Sequence, residues 1–211
     1  MAERIESVAD YEVPNSNDFD ATTTAIMEAV HDAIVKHGYP NLTMAHIAAE
    51  FDRSKSLLYY HYDGKEELLE DFFAYICAAI EADLDAKSPE EPVDRLFYLI
   101  DRILPPELSE GERQYRQALF EVRSQAPHNA ACRAEIMRTD DMMIAALTET
   151  IREGVEAGDF SEVDPETWGE IIFATLFGIM ERGVMLEDDA FMRRNREMLI
   201  QRIDRVILAD E

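Results

Sequence analysis

From Thr22 almost to its last residue the chain is a succession of stretches whose apolar residues recur every three or four positions, and no stretch sustains an apolar/polar alternation of period two. That rhythm calls for helices and needs no strands. A half-buried strand needs the alternation, and no pair of such runs is joined here by a hairpin turn. The expectation is an all-α protein.

Punctuation divides the series into helices. Ile26, Val30, Ala33 and Ile34 share one face of a helix over Thr22 to His37, which Gly38-Tyr39-Pro40 stops. Thr43 is placed to cap a short helix carrying Met44, Ile47, Ala48 and Phe51, and after Asp52-Arg53 Ser54 is placed to cap a second, KSLLYYHY. Asp63 with Glu66 has the capping-box spacing and opens a helix through Leu68, Phe72, Ile76 and Ile80. Ser88-Pro89, Pro92, Pro105-Pro106 and Pro127 delimit two more helices, the second from about Glu110 to Gln125. A long helix runs from about Ala130 to Ala157 and ends at Gly158; the last two start near Pro165 and Asp189. Residues 1 to 20, with six acids and one Arg, read as a flexible acidic arm.

Two short helices separated by a tight break, residues 43 to 62, fit a helix-turn-helix, whose second helix enters the DNA major groove. At 100° per residue Leu58 and Tyr62 turn inward, Ser56 and Tyr60 lie opposite, and Lys55, Leu57, Tyr59 and His61 flank the outward face. Hydroxyls, an imidazole and an ammonium suit phosphate oxygens, while Leu57 and the rings suit base edges. Lys65 stands in the first turn of the next helix, where amide N–H groups also favour a phosphate. A row of exposed tyrosines also suits a protein contact, so a helical adaptor without DNA is the competing reading.

The stretch Leu42-Thr43, Ile47-Ala48, Ser54-Lys55-Ser56-Leu57-Leu58-Tyr59-Tyr60-His61-Tyr62 and Lys65-Glu66-Glu67-Leu68 resembles the signature of the tetracycline-repressor-like (TetR/AcrR) transcriptional regulators. The resemblance implies that Thr43 meets a phosphate, that Lys55, Ser56, Leu57 and Tyr60 lie at the groove, and that Tyr59, His61 and Lys65 meet phosphates. It departs at Asp52, where the family usually has glycine; Asp tolerates a left-handed backbone better than most residues. The C-terminal part resembles the effector and dimer domain of BetI-like members more loosely. The resemblance therefore implies a DNA-binding domain over 21 to 68, an effector-binding and dimerisation domain over 69 to 211, and a small molecule that releases a repressor from double-stranded operator DNA. It also implies a homodimer through the last two helices, where Gly178 and Gly183 permit close approach. Phe97, Tyr98, Tyr115, Phe120, Met137, Met142, Met143, Trp168 and Phe173 are candidates for an effector cavity, but no ligand follows from them, and the effector-binding residues stay unknown.

Charge runs against a DNA partner. Asp and Glu number 45 against 20 Lys and Arg, a net charge of −25, which argues against gripping polyanions by bulk charge. Lysine occurs only at 36, 55, 65 and 87, so the surface is carboxylate-rich and lysine-poor, as in a halophilic protein. Three of those four lysines gather at 36 to 65, yet residues 21 to 71 still hold four cations against nine carboxylates. At about 1 M salt the screening length falls to about 3 Å, leaving only direct contacts to matter. No apolar run reaches the roughly 20 residues of a membrane span, and the expected compartment is the cytoplasm. Cys77 and Cys132 read as reduced and buried. Glu28-x-x-His31 is half of a metal motif without its other half, and no catalytic motif is present, so neither enzyme activity, metal nor cofactor is expected.

Overall fold

The computed structural model describes residues 19–208, except for the side chains of 83–87. The expected acidic arm lies outside the described residues save for its last two. In order come α1 (Ala21–His37), a 3-10 turn (Tyr39–Asn41), α2 (Met44–Glu50), α3 (Lys55–His61), α4 (Lys65–Lys87), α5 (Pro92–Ile103), α6 (Glu110–Arg123), α7 (Ala130–Ala157), α8 (Pro165–Met185) and α9 (Asp189–Val206). Among the described residues the only strand-like pairing is an isolated bridge between Phe160 and Leu208. The chain packs as two units: the described residues up to Ala86 with Leu108–Met137, and Lys87–Glu107 with Arg138 onward.

In the first unit the apolar faces of α1 to α4 meet in one core. Ile26, Val30 and Ile34 of α1, Ile47 of α2, Leu58 of α3 and Leu68 of α4 are fully buried. Each such side chain contributes about 1.5–3 kcal/mol by leaving water, which holds helices of only seven residues that would not persist alone. The Asp20 carboxylate accepts the Thr22 and Thr23 N–H groups at 2.8 Å and starts α1. Gly38, in the left-handed region at φ 72°, ends it. In α6, Ser109 and Glu112 form a reciprocal capping box. A second cluster joins Phe73 and Cys77 of α4 to Val122 of α6 and to Cys132 and Ile136 of α7. Both cysteines are free and buried, and burial pushes the Cys132 thiol up from its ordinary range.

Three local expectations are corrected. Ser54 holds the N-cap position of α3 but its hydroxyl makes no capping bond. At α4 the carboxylate reaching back is Glu67, which accepts the Asp63 N–H at 2.9 Å, rather than Glu66. Asp52 does not use the left-handed region; among the described non-glycine residues only Glu187 does, at φ 54°.

The second unit is clamped by two half-buried arginines. Arg95 of α5 donates to the Thr150 hydroxyl at 3.1 Å and pairs with Glu153, tying α5 to α7. Arg196 of α9 donates to the Leu104 carbonyl at 3.0 Å and pairs with Asp101, tying α9 to α5. α8 and α9 form an antiparallel hairpin whose turn ends on Asp188, the cap of α9. Gly183 is consumed inside this hairpin: a Cβ there would collide with the Met192 side chain. Its smallness therefore serves packing within the chain, contrary to the expectation that placed it between two copies. Gly178 differs, having nothing within 4 Å of where its Cβ would stand.

Candidate nucleic-acid interface

The outward face of α3 follows from what its inward face must bury. Leu58 and Tyr62 are sunk in the core, and the Tyr62 hydroxyl donates to Asp71 at 3.0 Å. Desolvation, with Asp71 beside it, holds that phenol well above its ordinary range, so Tyr62 remains a neutral anchor. The opposite residues are then forced into solvent: Tyr60 is 84% exposed, Tyr59 53%, and Lys55, Ser56 and His61 are exposed as well. α3 carries no carboxylate. The face presents one ammonium, a serine hydroxyl, two phenols and an imidazole, all able to donate to phosphate or base acceptors. The His61 ring stands edge-on to Tyr60, with centroids 5.6 Å apart.

Leu57, expected at the groove, is less exposed than Lys55, Ser56, Tyr59, Tyr60 and His61 of α3. It is half-buried and packs against the core, so only part of its side chain is presented outward. Thr43 caps α2 by accepting the His46 N–H at 3.2 Å, which leaves its own hydroxyl hydrogen to donate. Lys65 is half-buried, with its ammonium 5.5 Å from the centre of the Tyr39 ring, a cation–π seat that holds it at the start of α4.

Sequence counting overstated the cations here. Lys36 is paired with Glu50 at 2.7 Å. Arg53, exposed in the break between α2 and α3, donates to the Thr22 hydroxyl at 2.9 Å and the Ala21 carbonyl at 3.1 Å. That clamp, which fixes the turn against the start of α1, was missed; its only signal was a lone Arg in a two-residue break. Lys55 has no partner among the described residues, so two cations, Lys55 and Lys65, rather than four are available. Asp20, whose carboxyl the Thr23 and Thr22 amides hold below its ordinary range, occupies the amides at the start of α1.

Among the described residues no group of three or more His, Cys, Asp or Glu is arranged to hold a metal ion, and His31 lies against Asp32 at 3.2 Å instead. No described helix is long and apolar enough to cross a membrane.

The model of bacterial regulatory proteins of the tetR family matches residues 26–72, and that of the BetI-type transcriptional repressor C-terminal domain matches residues 92–208. Among solved structures, the chain is similar to a TetR transcription regulator from Haloarcula marismortui at 30% identity, covering 90% of this chain and 100% of that one with a TM-score of 0.78. It shares its fold with a transcriptional regulator from Saccharomonospora viridis in complex with choline, at 21% identity, 89% and 98% coverage and a TM-score of 0.71. It shares it also with SmeT of Stenotrophomonas maltophilia in complex with triclosan, at 19% identity, 90% and 93% coverage and a TM-score of 0.69. No curated protein matches the chain.

Proposed function

The chain belongs to the TetR family of bacterial regulatory proteins, and from that premise we propose that it is a cytoplasmic, non-enzymatic repressor that a small molecule releases from its operator. Residues 21 to 68 are the DNA-binding domain and 69 to 211 hold the effector and dimer functions. Tyr60 and Ser56 meet base edges with the exposed edge of Leu57, Lys55 bridges base and backbone, and Thr43, Tyr59, His61 and Lys65 hold phosphates. The observation that carries this reading is the carboxylate-free outward face of α3 in a chain of net charge −25, with Tyr60 84% exposed. A buried role would not leave a tyrosine so bare.

A homodimer through α8 and α9 completes the reading. The outward residues of α8, namely Thr167, Ile171, Ala174, Gly178, Glu181 and Met185, fall on one stripe with a step of four or three. It carries two exposed apolar residues, Ile171 at 46% and Met185 at 44%, and between them Ala174 and Gly178 are small, with open space at Gly178, which lets a second helix approach closely. Two-fold pairing sets two α3 helices against half-sites about one DNA turn or a multiple apart. The effector is a small molecule held in the C-terminal domain; the two neighbours above hold choline and triclosan, a cation and a phenol, and so span unlike chemistries.

The test is a mobility shift with DNA from upstream of the chain's own gene at 1 to 3 M KCl. A retarded, sequence-specific complex is expected, with affinity nearly flat or rising from low to molar salt, because two available cations release few counterions while many carboxylates are screened. Absence of any complex leaves the adaptor reading in its place. A thermal-shift screen identifies the effector, since binding to the folded state raises the apparent Tm.

A further inference from the structure

Outside α9, every described arginine has an interaction partner: Arg53, Arg95, Arg133, Arg152 and Arg182 through bonds or ion pairs given individually, the others through further contacts. α9 breaks that pattern. Of its five arginines only Arg196 is bonded; Arg193, Arg202 and Arg205 have no partner among the described residues, and Arg194 meets only the Phe191 ring at 5.9 Å. With 45 carboxylates in the chain, arginines left unpaired on one helix are a placed feature rather than a statistical one. α9 has five arginines against three carboxylates, and α8 has three carboxylates against one arginine.

The positions match. On α9 the direction opposite buried Met192, Leu199 and Ile203 is occupied by Arg194, Glu197, Met198, Gln201 and Arg205, with Met198 59% exposed and Glu197 on the edge away from Met198 and Arg205. Along one edge of the open stripe of α8 stand Glu170 and Glu181, both exposed and without a bond or ion pair among the described residues. Each pair is separated by three helical turns, about 16 Å. On α8 the pair brackets the small residues Ala174 and Gly178; on α9 it brackets Met198 and Gln201, with Glu197 on the opposite edge.

We infer that a second copy of the chain docks with its α9 antiparallel to α8 of the first, Arg194 facing Glu181 and Arg205 facing Glu170 of the other copy, so that two-fold symmetry makes each pair twice. This rests on the dimer reading above and adds to it the register and the choice of partner. Arginine suits the task because its planar fork takes a carboxylate in two parallel bonds. Ion pairs at the rim of an apolar seam contribute modest affinity but fix register and disfavour mismatched partners. They also relieve locally the repulsion between two chains of −25 each.

The test uses two full-length variants, Arg194→Glu with Arg205→Glu, and Glu170→Arg with Glu181→Arg, studied by sedimentation at 0.5 M KCl with circular dichroism of each. Wild type is expected to be a dimer. Each variant alone faces like charges across the seam, and its dimer dissociation constant is expected to rise on the order of 100-fold. Mixed, they present opposite charges at every pair, and a heterodimer near wild-type affinity is expected, which also shows that both chains fold. Both variants homodimerising as wild type does, or staying monomeric when mixed, overturns the charge register while leaving the α8–α9 dimer standing. A monomeric wild type overturns the dimer itself.

Discussion

The outward faces of α3 and α9 both hold cations without a partner, and they differ in which cation. α3 and the start of α4 offer lysine, set among hydroxyls and phenols, in a chain with only four lysines; α9 offers arginine beside the acidic edge of α8. An ammonium is a compact, freely rotating donor that tracks phosphates, while a guanidinium is a rigid fork that matches a carboxylate. On the function proposed above, one face serves a polyanion and the other the chain's own acidic surface.

The largest effect that can break this contrast is on the DNA side. Lys55→Ala with Tyr60→Ala is expected to weaken specific operator binding on the order of 100- to 1,000-fold in a mobility shift, each lost base-edge or backbone contact contributing about 1–3 kcal/mol. Sedimentation should find the dimer unchanged. A monomeric double variant would make the two faces one structural system.

Next in size is the contrast between two glycines of one helix. Gly178→Leu is expected to strengthen the isolated chain by up to about 1 kcal/mol through helix propensity while raising the dimer dissociation constant about tenfold or more, because the open seam is filled. Gly183→Leu is expected to destabilise the fold itself by about 1–3 kcal/mol, since the new side chain meets Met192 within the hairpin. Denaturant melts and sedimentation separate the two; equal effects would mean that Gly178 does not face a second copy.

The sequence made the helices legible because each carries its own punctuation: α7 ends one residue before Gly158, and α8 and α9 start at Pro165 and Asp189, as local stop and start chemistry demands. The inward face of α3 was equally legible, since helical geometry alone sends Leu58 and Tyr62 to the core. What stayed hidden was partnership across distance. Nothing near Lys36 announces Glu50, 14 residues on, and nothing near Arg53 announces Thr22, 31 residues back. Likewise Arg196 and Arg194 look alike in sequence, yet one is locked to Leu104 and Asp101 and the other faces outward. The half-burial of Leu57 was hidden for the same reason: a flanking position on a seven-residue helix is buried or exposed according to what packs beside it.

Arg53 gives a smaller, sharper test of the reading face. Because its guanidinium holds the break between α2 and α3 to the start of α1, Arg53→Lys keeps the charge but loses the fork that reaches both Thr22 and Ala21. Operator affinity is expected to fall about three- to tenfold by loss of preorganisation. If Arg53→Lys instead binds as wild type while Arg53→Ala fails, the charge itself meets a phosphate.

The smallest effects come from two helix caps, one in each unit. Asp20 starts α1 and is held below its ordinary pKa first by the Thr23 and Thr22 amides; Asp164 starts α8 and is held down first by the Thr167 hydroxyl and then by its amide. A carboxyl whose pKa is lowered on folding stabilises the protein above the unfolded value of 3.8, and that contribution disappears as pH falls through the lower folded value. Asp20→Asn and Asp164→Asn keep the acceptor but lose the charge that favours a helix N-terminus, so each should lower Tm slightly at pH 7. The gap to wild type should close once the pH passes below the wild-type carboxyl's own titration. Operator binding then distinguishes the regions: Asp20 sits two residues from the Thr22 hydroxyl that receives Arg53, so Asp20→Asn is expected to weaken the DNA complex slightly and Asp164→Asn to leave it intact. Equal losses from both caps would mean that α8 tightens the reading head as directly as α1 does, and the contrast between a face for DNA and a face for a second copy would have to be redrawn as one coupled surface.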